Sequence, residues 1–200
     1  MQIDRRGLLA SLLALCAQPI ASRPALANAD LWAAFSKGQA FILLRHALAP
    51  GTGDPPGFQL GDCSTQRNLS EAGRQQARRI GDLIRQNGRQ NGVEEAAVHS
   101  SQWCRCLDTA TALRLGKVES QPLLNSFFGT PADGKRQTEN LRAWLVDGAA
   151  RKAQPAFILV THQVNITALT GIVPLSGEIV FAAVSGDGTV SVLGRQAGPG

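Results

Sequence analysis

Three short apolar runs lead into residues that can do chemistry. Ala40-Phe41-Ile42-Leu43-Leu44 ends at Arg45-His46, and Ala156-Phe157-Ile158-Leu159-Val160-Thr161 ends at His162. Ala96-Ala97-Val98-His99 ends at Ser100-Ser101, with Arg105 about one helical turn further on. Runs this short, apolar and β-rich read as buried strands. In open α/β sheets, ligands bind at the carboxyl ends of the strands. If the three strands are neighbours, two imidazoles and two guanidinium groups converge on one spot. A helix N-terminus beside them adds backbone N–H groups for an anion. Two cationic forks and two imidazoles suit a phosphate dianion. Each residue alone has a plainer reading. A strand-end histidine is most often a hydrogen-bonded structural residue, and His99 keeps that reading in full.

The elements that must hold these residues alternate along the chain. A helix is expected over 28–37, then the strand at 40–44. Residues 47–68 form a long loop, because Pro50, Gly51, Gly53, Pro55, Pro56, Gly57 and Gly61 forbid regular structure. Ordered loops of that length are usually functional. Ser70 is a good N-cap for a helix over 71–90, whose apolar stripe is Ala77, Ile80, Leu83 and Ile84. A strand at 96–99 precedes a helix that Ser100-Ser101 opens and that runs to 113. A third strand is expected near 117–120 and loop over 123–134. Helix follows over 136–150, then the strand at 156–161 and a helix over 165–171. The chain closes on a hairpin, 178–184 and 189–194, around Gly186-Asp187-Gly188. Strands alternating with helices predict a three-layer αβα sandwich with a mostly parallel central sheet.

Composition narrows the classes. The 200 residues are 44% hydrophobic and 18% charged, which excludes collagen-like, coiled-coil and disordered chains. Lys+Arg number 20 against 15 Asp+Glu. Residues 1–27 read as an export signal: Arg5-Arg6, an apolar stretch over 7–17, Pro19, and Ala25-Leu26-Ala27 as the cleavage pattern. The adjacent arginines resemble a twin-arginine signal. The apolar stretch is too short to span a bilayer, so no stable membrane anchor is expected. Removing Asp4, Arg5, Arg6 and Arg23 leaves 17 basic against 14 acidic residues, a mild excess. No basic stripe with interleaved aromatics is present, which argues against nucleic acid as a partner. Residues 28–200 then form one domain in the periplasm or outside the cell. In an oxidising compartment Cys63, Cys104 and Cys106 predict one disulfide and one free thiol. Side chains at i and i+2 of a helix face apart, so Cys63 is expected to pair with Cys104 or Cys106. A zinc or thiol-redox site is the rival reading, weakened because no histidine stands at ligand spacing.

The same motifs carry a resemblance. Leu43-Leu44-Arg45-His46-Ala47 resembles the Arg-His-Gly signature of the histidine phosphatase superfamily, the phosphoglycerate-mutase-like fold. Leu69-Ser70-Glu71-Ala72-Gly73-Arg74-Gln75-Gln76-Ala77 resembles its Leu-Thr-x-x-Gly-x-x-Gln-Ala helix start. The segment from Ser101 through Arg105 to Thr109-Ala110 resembles its Ser-x-x-x-Arg-x-x-x-Thr-Ala pattern, and Leu159-Val160-Thr161-His162 resembles the strand before its second histidine. The four motifs stand in the family's order and cover nearly all of 28–200. The resemblance implies that His46 is the nucleophile and forms a phosphohistidine, with His162, Arg45 and Arg105 on the phosphoryl oxygens. It implies a metal-independent, cofactor-free phosphoric monoester hydrolase acting on a small phosphorylated substrate, since the arginines supply the charge a magnesium ion would bring. The export signal, His46 and a cysteine near the loop also resemble periplasmic members that act on lipopolysaccharide core heptose phosphate. Thr52, Gln163 and Asn165 would then help shape the sugar pocket.

Two departures stand out. Ala47 replaces the usual glycine, a small change if its φ is negative. A phosphomonoester also needs a proton donor for its leaving oxygen. One branch of the family has a Glu where Asn125 stands, and the other has His-Asp where this chain has His162-Gln163. The candidate acids are Asp54 first, Glu178 second, then Asp62 and Asp133. Without an acid, the substrate would carry a good leaving group such as a phosphohistidine or an acyl phosphate. The alternative function is a phosphate-binding module of the same fold without turnover.

Overall fold

The computed structural model describes residues 28–148 and 156–200. The expected signal segment lies outside the described residues, as does the expected end of the helix at 149–150.

Eleven main elements follow one another among the described residues: α1 (Asn28–Ser36), β1 (Phe41–Arg45), α2 (Glu71–Gln90), β2 (Ala97–Ser100), α3 (Cys104–Leu113), β3 (Val118–Ser120), α4 (Gly134–Val146), β4 (Phe157–Thr161), α5 (Gln163–Thr170), β5 (Ile179–Val184) and β6 (Val190–Gln196). Six strands form one sheet in the order β3-β2-β4-β1-β5-β6. The first four in that row run parallel, and β5 pairs antiparallel with β1 and with β6. Side-chain alternation along the strands divides the core into two layers. Ile42, Leu44, Ile158 and Val160 pack on one face with Leu31 of α1, Ile80 of α2 and Ala110 of α3. Phe41, Leu43, Phe157 and Leu159 pack on the other face with Leu141 of α4 and Ile166 of α5. The expected three-layer sandwich with a mostly parallel sheet is therefore the observed one. Among the described residues no helix is long and apolar enough to cross a membrane.

Local chemistry sets the element ends near the site. The Ser70 hydroxyl accepts the Gly73 N–H at 3.0 Å and caps α2. Gly73 passes so close to the Leu48 carbonyl that a Cβ would collide, so α2 lies directly against the chain leaving β1. One expectation is corrected. Ser100 closes β2, and α3 begins only at Cys104 instead of at Ser100-Ser101. Ser101 N–H still donates to Val160 in the neighbouring strand, and Trp103 N–H folds back on the Ser101 hydroxyl. The first helical N–H, that of Cys104, is satisfied by the Gln66 side chain at 2.9 Å, so a residue from the long loop anchors this helix start. The stretch 123–134 is irregular as expected, with short 3₁₀ turns at Pro122–Leu124 and Pro131–Asp133.

Candidate active site

Strand order brings the sequence-distant groups together. Arg45 lies opposite Thr161 in register, and the His46 N–H donates to the Thr161 carbonyl at 3.0 Å. The two following histidines therefore meet: the rings of His46 and His162 are 5.6 Å apart between centroids, and each residue is 3% exposed. On the other flank of β4, β2 ends at Ser100 opposite Val160, and the turn after it delivers Arg105 as the second residue of α3. Arg45, His46, Arg105 and His162 all line a pocket of about 610 Å³ at the carboxyl ends of the parallel strands.

His46 is held neutral and in one tautomer. Its Nδ1 lies 2.8 Å from the Ala47 carbonyl. A carbonyl can only accept, so Nδ1 carries the proton and Nε2 keeps its lone pair. Burial, followed by the charges of Arg105, Arg67 and Arg45, pushes the His46 pKa down to about 3 and keeps the ring neutral. The Ala47 N–H donates to the Thr109 hydroxyl at 3.0 Å, and that hydroxyl donates to the Arg105 carbonyl at 2.7 Å. Thr109 thus links the segment after β1 to the first turn of α3. Among the described residues Arg114 is the only non-glycine at positive φ, so Ala47 stands in for glycine without backbone strain.

The His162 Nε2 lies 2.8 Å from the Ser101 hydroxyl and 3.4 Å from the Cys106 sulfur, which is also 4.0 Å from Nδ1. Burial first, then His46 and the three arginines, holds the His162 ring neutral well below the usual histidine range. Arg45 donates through one terminal nitrogen to the Pro174 carbonyl at 2.8 Å. Its Nε and that of Arg105 are buried with no acceptor among the described residues, and both side chains line the pocket.

Asp54 does reach the pocket, but not in the state of a proton donor. Its two oxygens accept from the two terminal nitrogens of Arg105 at 2.7 and 3.1 Å, from Trp103 Nε1 at 3.0 Å and from the Arg67 N–H at 3.1 Å. Burial opposes its ionisation, but these bonds outweigh burial and hold the carboxyl below its usual range. An acid must carry a proton near neutral pH, and Asp54 is held without one. Glu178 is not on the pocket wall: it accepts from Arg195 Nε at 2.6 Å and from the Leu175 N–H at 2.7 Å. Asp62 caps the short turn Cys63–Thr65, and exposed Asp133 pairs with Arg136. Asp54 is the one carboxylate among the described residues of the wall. Thr52 and Gln163 line the pocket. Asn165 does not; it is buried and donates to the Asn125 carbonyl at 2.9 Å.

Arg67 escaped the sequence reading. It precedes the capped start of α2 at the end of the Gly/Pro-rich loop, where no periodicity marks it. Its Nε donates to the Gly53 carbonyl at 2.7 Å, and another nitrogen donates to the Ala49 carbonyl, so it ties the loop around its own charge and adds a third guanidinium to the wall. The cysteine alternatives are also decided. Cys63 is bonded to Cys104, 41 residues on, with Cα atoms 5.7 Å apart, while Cys106 is free and buried. Burial pushes the Cys106 thiol up to about 12, which makes it a poor nucleophile.

The fold compares closely with solved structures. The protein histidine phosphatase SixA complexed with tungstate superposes with a TM-score of 0.54 and 15% identity, over 79% of this chain and 96% of that one. The fold is that of the histidine phosphatases. Phosphoserine phosphatase from Entamoeba histolytica, in complex with 3-phosphoglyceric acid, gives a TM-score of 0.54 and 16% identity over 79% of this chain and 96% of that one. A SixA-type protein of Agrobacterium tumefaciens gives 0.51 and 20% over 80% and 99%. At sequence level no family model matches and no curated protein is significantly similar. What this chain shares with those structures is therefore the fold.

Proposed function

We propose that the chain is an exported phosphatase that hydrolyses phosphomonoesters through a phosphohistidine on His46. The observation that carries this reading is His46 itself: a neutral ring, fixed by Ala47 in the tautomer that frees Nε2, in a pocket walled by three arginines and a second histidine. Nε2 attacks phosphorus; the bond from phosphorus to the leaving oxygen breaks, and its electron pair departs with that oxygen. Arg45, Arg67, Arg105 and His162 hold the three remaining oxygens as charge spreads over them. Water then attacks phosphorus, the P–N electron pair returns to Nε2, and dihydrogen phosphate leaves a neutral His46. The arginines do the electrostatic work, and no step asks for a metal. A tungstate complex of SixA, a tetrahedral oxyanion on the same fold, supports a phosphate-sized ligand here.

Export to the periplasm or beyond is supported by the residue 1–27 pattern and by the Cys63–Cys104 bond, since disulfides persist in oxidising compartments. Residues 28–200 would then be the working domain. The leaving group is the finer question. A heptose phosphate departs as an alkoxide and needs a proton, yet the wall's carboxylate is held ionised by Arg105. That favours esters whose leaving group departs unprotonated. The same observation motivates the second reading, a phosphate-binding module without turnover.

Incubation of the 28–200 domain with p-nitrophenyl phosphate, in mildly acidic buffer containing chelator, separates the readings. Turnover that His46→Ala abolishes is the expected result. Tight phosphate binding with no turnover on aryl, acyl or sugar phosphates would leave only the binding module.

A further inference from the structure

Beyond the phosphate-holding groups, the pocket wall is aromatic. Four rings stand in file from the nucleophile outward: His46 to His162 at 5.6 Å, His162 to Trp103 at 5.4 Å, and Trp103 to Phe58 at 5.0 Å, the last pair stacked within 18° of parallel. Trp103 is held in place by its Nε1–H bond to Asp54. Phe128 comes from the loop after Asn125, borders the same pocket beside Gly53, and is 55% exposed. Three segments far apart in sequence, the loop after β1, the turn before α3 and the loop after β3, therefore bring aromatic surface to one opening.

Charge limits what else the ligand can carry. The charged side chains of the wall are Arg45, Arg67, Arg105 and Asp54, a net of two positive charges once both histidines are neutral. A phosphoryl dianion cancels that balance, so a further carboxylate or phosphate on the substrate meets no spare cation among the described residues of the wall.

We propose that Phe58, Trp103 and Phe128 form a leaving-group subsite, and that the substrate carries its phosphoryl group on an uncharged aromatic ring. This deepens the phosphatase reading above and rests on it. Ring faces pack offset or edge-on against aromatic side chains, a contact worth up to about tenfold in binding. The chemistry agrees independently of the packing. An oxygen attached to an aromatic ring delocalises the electron pair it takes from the broken bond to phosphorus and collects its proton from solvent afterwards, while a ring nitrogen leaves as neutral imidazole once the other ring nitrogen has taken a proton from solvent. Neither needs the acid that this wall lacks.

The test separates ring recognition from leaving-group quality. Acetyl phosphate has a good leaving group and no ring; p-nitrophenyl phosphate and N-phosphoimidazole carry rings through oxygen and nitrogen. We expect kcat/KM for at least one ring donor to exceed that for acetyl phosphate about tenfold, and the better donor identifies the atom that bears the phosphoryl group. Phe58→Leu and Phe128→Ala should each lower the ring-to-acetyl ratio several-fold, up to about tenfold. Val173→Ala, at an exposed apolar residue outside the pocket, should leave that ratio as it is. Because Phe128 is largely exposed, its variant reports even if Phe58→Leu folds poorly. Acetyl phosphate matching or beating both ring donors, or a ratio that neither variant moves, overturns the subsite. Phosphoramidate, a small donor without a ring, provides the separate check. If it phosphorylates His46 while ring preference is absent, only the subsite falls; if neither it nor any ester labels His46, the phosphatase reading falls and the subsite with it.

Discussion

Asp54 illustrates how surroundings override residue type. Its place in a long loop eight residues past His46 makes it a candidate acid, yet four donors converge on its carboxylate and fix the charge. Its structural work is to orient Arg105, which is 3% exposed and is a buried charge whose counter-ion Asp54 supplies. Asp54→Asn should therefore cost stability, about 3 kcal/mol for breaking a buried pair from one side, read by urea unfolding. It should also lower kcat by the same factor for easy and hard leaving groups. A steeper loss on alkyl than on aryl esters would instead restore Asp54 as the acid. This role was not legible in the sequence, because the partners lie 13 to 51 residues away. The tautomer of His46, by contrast, comes from the adjacent Ala47 carbonyl and is a local matter.

At the scale of elements, the loop between β1 and α2 acts as one wall of the site because it is fastened at both ends of its working stretch. Arg67 ties it to Gly53 and Ala49, Gln66 caps α3, and the Cys63–Cys104 bond joins it covalently to the residue before Arg105. Cys63→Ser, with the native bond gone, should lower unfolding stability by up to about 4 kcal/mol for a closed loop of this length. It should also reduce kcat/KM, since Arg105 and Asp54 then hold their register through noncovalent contacts alone; activity measured with and without thiol reductant on the parent chain gives the same comparison. An unchanged kcat/KM in the reduced protein would mean the bond serves stability only. The element types themselves were readable from periodicity and caps. The start of α3 was misplaced because its cap, Gln66, arrives from elsewhere in the chain.

For the whole molecule, the burial of two neutral histidines couples folding to pH. His46 is pushed to about 3, and His162 lies well below its usual value, whereas an unfolded histidine titrates near 6.5. Between about 6.5 and 3 the unfolded chain therefore binds more protons than the folded one, and stability falls as pH drops through that window. Asp54 adds to the same trend, since a depressed carboxyl loses its contribution as pH falls through its folded pKa. The urea midpoint in phosphate-free buffer should decline steadily from pH 7 to pH 4 by the equivalent of a few kcal/mol. A midpoint that holds constant over that range would show that neither ring is buried neutral.

The sequence by itself determined the chemistry on offer: which residues end the apolar runs, that Ser70 caps the long helix after the loop, and that histidine and arginine at the strand ends point to phosphate. Those features are local, written in periods of two and 3.6 residues and in caps a few positions away. Only the tertiary structure decided that β4 lies beside β1, so that His162 meets His46, and that Cys63 takes Cys104 and leaves Cys106 free. It alone turned Asp54 into a partner for Arg105 and brought Arg67 and Phe128 to the pocket. Strand order follows from burying both faces of one sheet against helices from all along the chain, and a loop rich in glycine and proline has no period from which its destination can be read.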